Sequence, residues 1–156
     1  TIFFEYAYDT SVLAHQSGLK NVFVSNGFMT PEAIEKIQPY LDAANIDLKS
    51  FSDDYYKKVC KGRLQPVLDS ISNLKKAGVW IEVTTLIIPE ETDSDEELNQ
   101  IAGFIAEQGT DIPWHISRFF PTYNYSDRSP TPISTIKKAE RIGRENGLKH
   151  IHLGNI

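Results

Sequence analysis

The sequence predicts an α/β fold in which parallel strands alternate with helices, as an open sheet or as part of a (β/α) barrel. Three observations carry that expectation. Short β-branched segments alternate with helix-period segments along the whole 156 residues, and such alternation requires right-handed crossovers between parallel strands. The stretch "NIDLKSF" puts Asn45, Asp47 and Lys49 on one side of an extended chain and Ala44, Ile46 and Leu48 on the other. Such a row faces water on an edge strand, but on an inner strand it has to serve a site, because unpaired buried polar groups are costly. Third, the residues that close the strands are mostly polar or aromatic, and ligands of such folds sit at the carboxyl ends of the strands.

Each element follows from local chemistry. Ile2 to Gln16 is apolar and aromatic at helical spacing, with Gly18 as a stop. "LKNVFVSNG" is a short strand that ends in a turn. Thr30 caps the next helix and Pro31 takes its first position, with Ile34, Ile37 and Leu41 on one face. A strand from Ala43 to Lys49 follows, and "SDDYYKKVC" is a short helix. "LQPVLDSISNLKKAG" is a helix with a stripe of Leu64, Leu68, Ile71 and Leu74, stopped by Gly78. "VWIEVTTLIIP" is the longest strand, closed by Pro89. A capping box from Ser94 to Glu97 opens a helix that turns Leu98, Ile101 and Ile105 inward and stops near Gly109. "IPWHISRFF" is a strand, and the aromatic loop "PTYNYSDRSP" leads into a helix through Ile133, Ile136 and Ala139 that Gly147 terminates. "KHIHL" is a last strand. No repeat or low-complexity tract interrupts the series, so residues 1–156 are expected to form a single domain.

Composition narrows the function. A net charge of −5 with no basic cluster argues against a nucleic-acid partner. No apolar run approaches the roughly 18 residues that span a bilayer, and the start shows no signal-peptide pattern, so the expected location is cytoplasmic, without membrane attachment. The single cysteine, Cys60, rules out an internal disulfide and cannot alone hold zinc or an iron–sulfur cluster. No Gly-rich phosphate loop, Walker lysine, nucleophile elbow or HExxH motif occurs. The chain begins "TIFFEYAY" without a methionine, directly in an apolar segment, as a piece of something longer would.

The strand ends hold the candidate site: Ser25-Asn26-Gly27, Asp47-Leu48-Lys49, the segment around Ile87 to Glu90, and Phe120 to Tyr123. Asp47 and Lys49 offer complementary charges, able to pair with each other or to take the amine and carboxylate of an amino acid. Lys49 could also act as a Schiff-base amine in an aldolase-like lyase, and a non-catalytic binding domain is a further alternative. Glu82 and Thr84 repeat the polar row on their own strand. His15 reads as a surface residue and His115 as a hydrogen-bonded neighbour of Trp114. His150 and His152 share one strand side, yet no third ligand lies nearby in the sequence, so no metal site is assigned. Tyr123 and Tyr125 either meet a substrate or anchor their loop.

The order of "VSNG", a helix, "IDLKSF", a helix, "TTLIIPEETDS", "WHISRFFPTY" and a terminal "LGN" resembles the radical S-adenosylmethionine enzymes, over nearly the whole chain. More narrowly it is similar to the pyruvate formate-lyase activating enzymes and their AmmeMemoRadiSam-system relatives. The resemblance implies a partial (β/α) barrel lacking its first strands. It also implies that the parent protein uses S-adenosylmethionine and a 4Fe–4S cluster, whose CxxxCxxC ligands are absent from this chain. By position, Ser25 and Asn26 match a polar pair near the cofactor, and Asp47 and Lys49 match an Asp-x-Lys pair with its lysine near the cofactor carboxylate. Glu82 and Tyr123 fall at cofactor-wall positions where relatives carry other residues. The implied reaction is reductive cleavage of S-adenosylmethionine to a 5′-deoxyadenosyl radical that abstracts hydrogen, with a glycyl-radical protein as a candidate substrate. The catalytic groups are not assigned, and the isolated chain is expected to be inactive. Missing first strands would also expose the edge of Asn21 to Ser25 and invite a homodimer through it.

Overall fold

In the computed structural model, which describes residues 3–156, strands and helices alternate as the sequence predicts. The elements are α1 (Phe4–Gln16), β1 (Val22–Ser25), α2 (Pro31–Ile37), β2 (Ala43–Asp47), α3 (Asp53–Tyr55), α4 (Leu64–Lys76), β3 (Trp80–Ile87), α5 (Asp95–Gln108), β4 (Trp114–Arg118), α6 (Ile133–Glu145) and β5 (Ile151–Gly154). Ile2, where the predicted first helix begins, lies outside the described residues. The strand order in the sheet is β1-β2-β3-β4-β5, so strands consecutive in sequence are neighbours in space and a helix fills each crossover. The chain divides into two compact units, Thr1–Leu48 with Asp53–Glu82, and Lys49–Ser52 with Val83–Ile156.

In the first unit β1 and β2 pair in parallel, with Val24 beside Asn45 and Ser25 beside Ile46. Ala44 and Ile46 are buried, while Ala43, Asn45 and Asp47 are half-buried, so the alternation read from the sequence is a real difference between two faces. Thr30 caps α2, its hydroxyl accepting from the Ala33 N–H at 3.2 Å, and Pro31 follows at the first position. The Asn21 amide donates to the carbonyls of Ser11 and Tyr40, each at 2.8 Å, which ties α1 to the turn after α2.

The buried arc of α4 is Leu64, Val67, Ser70, Ile71 and Leu74. Val67 therefore takes the place expected for Leu68, which is only half-buried. Positions three and four apart share a helical face, so the centre of the arc can shift by one residue. No side chain of the preceding residue, Arg63, caps this helix. Asp53 does so from a distance, accepting from the Leu64 N–H at 3.0 Å and pairing with Lys57 at 2.9 Å and Arg63 at 3.1 Å. Lys57, with help from the Leu64 N–H and Arg63, holds the Asp53 carboxyl well below the usual carboxylate range.

In the second unit the register sets Thr84 beside His115 and His115 beside His152. Trp114 is fully buried and its indole N–H donates to the Thr85 hydroxyl at 3.0 Å. Ile136, Ala139, Ile142 and Gly143 of α6 are buried, whereas Ile133, expected on the same face, is 47% exposed at the helix's first residue. Two buried threonines fasten the carboxyl ends of the strands. Thr92 accepts from the Ile88 N–H at 2.9 Å and donates to the Leu86 carbonyl at 3.1 Å. Thr131 accepts from the Phe119 N–H at 3.1 Å and donates to the Ile87 carbonyl at 2.6 Å. Buried hydroxyls satisfied in this way fix loop positions without leaving an orphaned group.

Candidate functional site

Ser25 and Asn26 build a turn. The Ser25 hydroxyl accepts from the Gly27 N–H at 3.2 Å, and the Asn26 side-chain oxygen accepts from the Phe28 N–H at 3.0 Å. Each is a local side-chain-to-backbone bond of the kind these residues favour in turns. Gly27 completes it at φ +71°, and a Cβ there would come within 2.6 Å of Ile46 Cγ2 and 3.1 Å of Val67 Cγ1. Both the conformation and the close approach demand glycine. Because Ser25 is register partner to Ile46, its side chain lies on the same face as that buried residue and is itself 8% exposed. Asn45 and Asp47 occupy the opposite face, so the structure does not bring the Ser25 hydroxyl together with Asp47.

Asp47 closes β2, half-buried, at the carboxyl end where a ligand of this fold is expected. Glu82 stands lower. The Trp80 N–H donates to the Asp42 carbonyl at 3.0 Å, which aligns the starts of β3 and β2. Glu82, the third residue of β3, is thereby level with the middle of β2 rather than with Asp47. Its carboxylate accepts from the Trp80 indole N–H at 3.2 Å.

In the second unit Lys49 is half-buried and opens the segment Lys49–Ser52. Its neighbours are held firmly. The Ser50 hydroxyl donates to Glu97 at 2.5 Å and the Phe51 N–H donates to the same oxygen at 2.6 Å, while the Phe51 ring lies 5.9 Å from that of Phe104. Glu97 was expected to complete a capping box. Ser94 plays its half, accepting from the Glu97 N–H at 3.1 Å. The Glu97 carboxylate instead positions the residues that follow Lys49, a role without a local signal because its partners are 46 and 47 residues away.

Tyr123 begins a short 3₁₀ turn at φ +50° and is 89% exposed. Tyr125 is the anchor of that loop. Its hydroxyl donates to Glu91 at 3.2 Å, its ring meets Phe119 edge-on at 6.0 Å, and the Arg128 guanidinium lies over that ring, 4.7 Å from its centroid. Arg128 in turn pairs with Glu91 and donates to the Pro89 carbonyl at 3.2 Å. The closed network leaves Tyr123 as the outward-facing aromatic of the loop.

The other singled-out groups separate cleanly. His15 is exposed and lies edge-on to Tyr40 at 5.7 Å. His115 stacks against His152, while His150 sits just outside β5 and is exposed. Among the described residues, no three His, Cys, Asp or Glu side chains gather as metal ligands. A 4Fe–4S cluster held by three thiolates does not fit a chain with one cysteine. Asp47, in the first unit, and Lys49, in the second, are each half-buried.

Comparison with known proteins gives a consistent result. The model of the Radical SAM superfamily matches residues 1–102. An uncharacterized protein of Methanocaldococcus jannaschii is 42% identical over 157 aligned positions, covering 100% of this chain and 46% of its own length. The chain thus spans about half the length of the curated relative it matches. A domain of the pyruvate-formate lyase-activating enzyme from Bacteroides vulgatus superposes with a TM-score of 0.80 at 16% identity, over 99% of this chain and 92% of the other. Streptococcus suis SuiB, in a structure bound to S-adenosylmethionine, gives a TM-score of 0.72 at 8% identity over 94% of this chain and 35% of SuiB. At such identities the two structures establish a shared fold, the partial (β/α) barrel that the sequence predicts.

Proposed function

The chain belongs to the Radical SAM superfamily, and from that premise we propose that it contributes cofactor-binding residues to an enzyme of the activating-enzyme type. S-adenosylmethionine, when bound and reductively cleaved in this superfamily, supplies a 5′-deoxyadenosyl radical for hydrogen abstraction. This chain's own part is to bind and orient it. Asp47 takes the methionine amine and Lys49 the carboxylate. Asn26 and Ser25 shape the turn beside the cofactor, and Glu82 and Tyr123 belong to the surrounding wall. The Radical SAM superfamily match over residues 1–102, which takes in Ser25, Asn26, Asp47, Lys49 and Glu82, is the observation that supports this reading. The substrate we favour is a protein of the glycyl-radical kind, in the cytoplasm, and the net charge of −5 gives nucleic acid no electrostatic footing.

Isothermal titration of the chain with S-adenosylmethionine tests the binding role. Lys49→Met and Asp47→Asn should each weaken binding by about tenfold or more, the loss expected for one charge-assisted hydrogen bond of roughly 1.5–3 kcal/mol. Variants that bind as the unaltered chain does, or an unaltered chain that binds nothing, would refute it. Cluster assembly is expected to fail on this chain alone. After anaerobic treatment with iron and sulfide, a broad absorbance near about 400 nm, on the order of one cluster per chain, is the contrary result.

A further inference from the structure

His115 and His152 come from strands whose pairing the sequence does not disclose. They are direct register partners on β4 and β5, their ring centroids are 4.9 Å apart, and the ring planes differ by 22°. His115 is half-buried, and His152 is exposed. His115 and Ser117 alternate with the buried Trp114 and Ile116, so the pair stands on the face of β4 that the core does not use. We propose that these two histidines form a binding site for a divalent transition-metal ion such as zinc, nickel or copper.

The separation of the rings supports the assignment. A metal–nitrogen bond of about 2.0–2.1 Å places an imidazole centroid about 3.2 Å from the ion. Two such rings are then about 4.5 Å apart at a right-angled ligand geometry and about 5.2 Å apart at a tetrahedral one. The observed distance falls between these limits. The histidine χ2 torsion is broad, so rotation of both rings turns one nitrogen of each toward a common point with little cost. An imidazole has two nitrogens, and one can keep a hydrogen bond while the other binds metal; that second bond fixes the ring and raises its basicity as a ligand. Neighbouring Thr84 presents no competing charge. Water or a ligand oxygen would complete the coordination sphere, leaving open positions on the ion. Imidazole rather than thiolate donors favour zinc, nickel and copper over magnesium or calcium. Nothing here draws on the Asp47 and Lys49 reading, so either can fail alone.

The experiment is titration of tag-free chain with zinc chloride and nickel chloride, followed by calorimetry and by histidine ring signals in NMR spectra. Saturable binding of one ion per chain should shift the ring signals of His115 and His152 together. His152→Ala, at an exposed position that leaves the core intact, should weaken binding by about tenfold or more, and His150→Ala should leave it unchanged. A His152→Ala chain that binds as before, ring shifts confined to His150 or His15, or no binding at about millimolar metal would each overturn the site.

Discussion

The two outer strand pairs share a plan and differ in what they show to water. β1 with β2 and β4 with β5 each join a four-residue outer strand to a five-residue inner one, in parallel. In each pair a glycine lets another element close onto the buried face. Gly27 admits the loop after β1 against Ile46 and Val67, and Gly143 admits α6 against Trp114 and Ile151. The other faces diverge. β1 leaves Val22 61% and Val24 80% exposed, whereas β5 presents His152 to solvent and keeps Ile151 and Leu153 half-buried. Packing fixes the covered faces by similar means, while the exposed positions of the two outer strands differ, valine on β1 and histidine on β5.

The largest test acts on the glycines. At Gly27 a methyl meets side-chain atoms at 2.6 and 3.1 Å and the backbone is held at φ +71°. At Gly143 a methyl meets Ile151 Cδ1 at 2.7 Å and the Trp114 ring at 3.0 Å, and no left-handed backbone is involved. Gly27→Ala combines overpacking with a left-handed penalty and is expected to cost about 2–4 kcal/mol; Gly143→Ala carries overpacking alone, about 1–3 kcal/mol. Urea unfolding midpoints measure both. Adding Ile151→Val removes the atom nearest the Gly143 methyl and should recover part of that loss. No neighbouring substitution relieves the backbone at Gly27. Equal costs, or no recovery with Ile151→Val, would show that the two contacts do not differ as described.

Some of this was readable in the sequence and some was not, for definite reasons. Period-2 and period-3.6 patterns report which residues share a face, so β2 with its half-buried Asn45 and Asp47, the Thr30 cap and the buried Leu98, Ile101 and Ile105 could be read directly. Faces alone do not tell which strand stands beside which, or in what register. His150 and His152 looked like the pair because they are close in sequence; the structure pairs His152 with His115, 37 positions earlier in the register. The same blindness hid the Glu97 link to Ser50 and Phe51. It also hid the Ser25 side chain's place beside Ile46, on the face away from Asp47. Residues whose roles depend on long-range register carry only their chemistry in the sequence, not their partners.

The smallest effect on folding, and the sharpest test of the contrast, concerns the apolar edge. β1 is an outer strand of the sheet, and among the described residues it pairs only with β2. Its free side therefore offers unpaired backbone donors and acceptors next to exposed Val22 and Val24, the combination that recruits another strand. A charged residue there blocks such pairing, which is how natural edge strands avoid it. We expect the chain to self-associate through β1, with light scattering giving twice the mass of one chain at high concentration. Val24→Lys should return it to a single chain while changing the unfolding free energy by no more than about 0.5 kcal/mol, because the side chain already stands in water. His152→Lys, the corresponding change on β5, should leave the association as it was. A chain that stays monomeric at every concentration, or a Val24→Lys dimer, would mean that the exposed valines of β1 are tolerated singly and that the two outer strands do not differ in what they recruit.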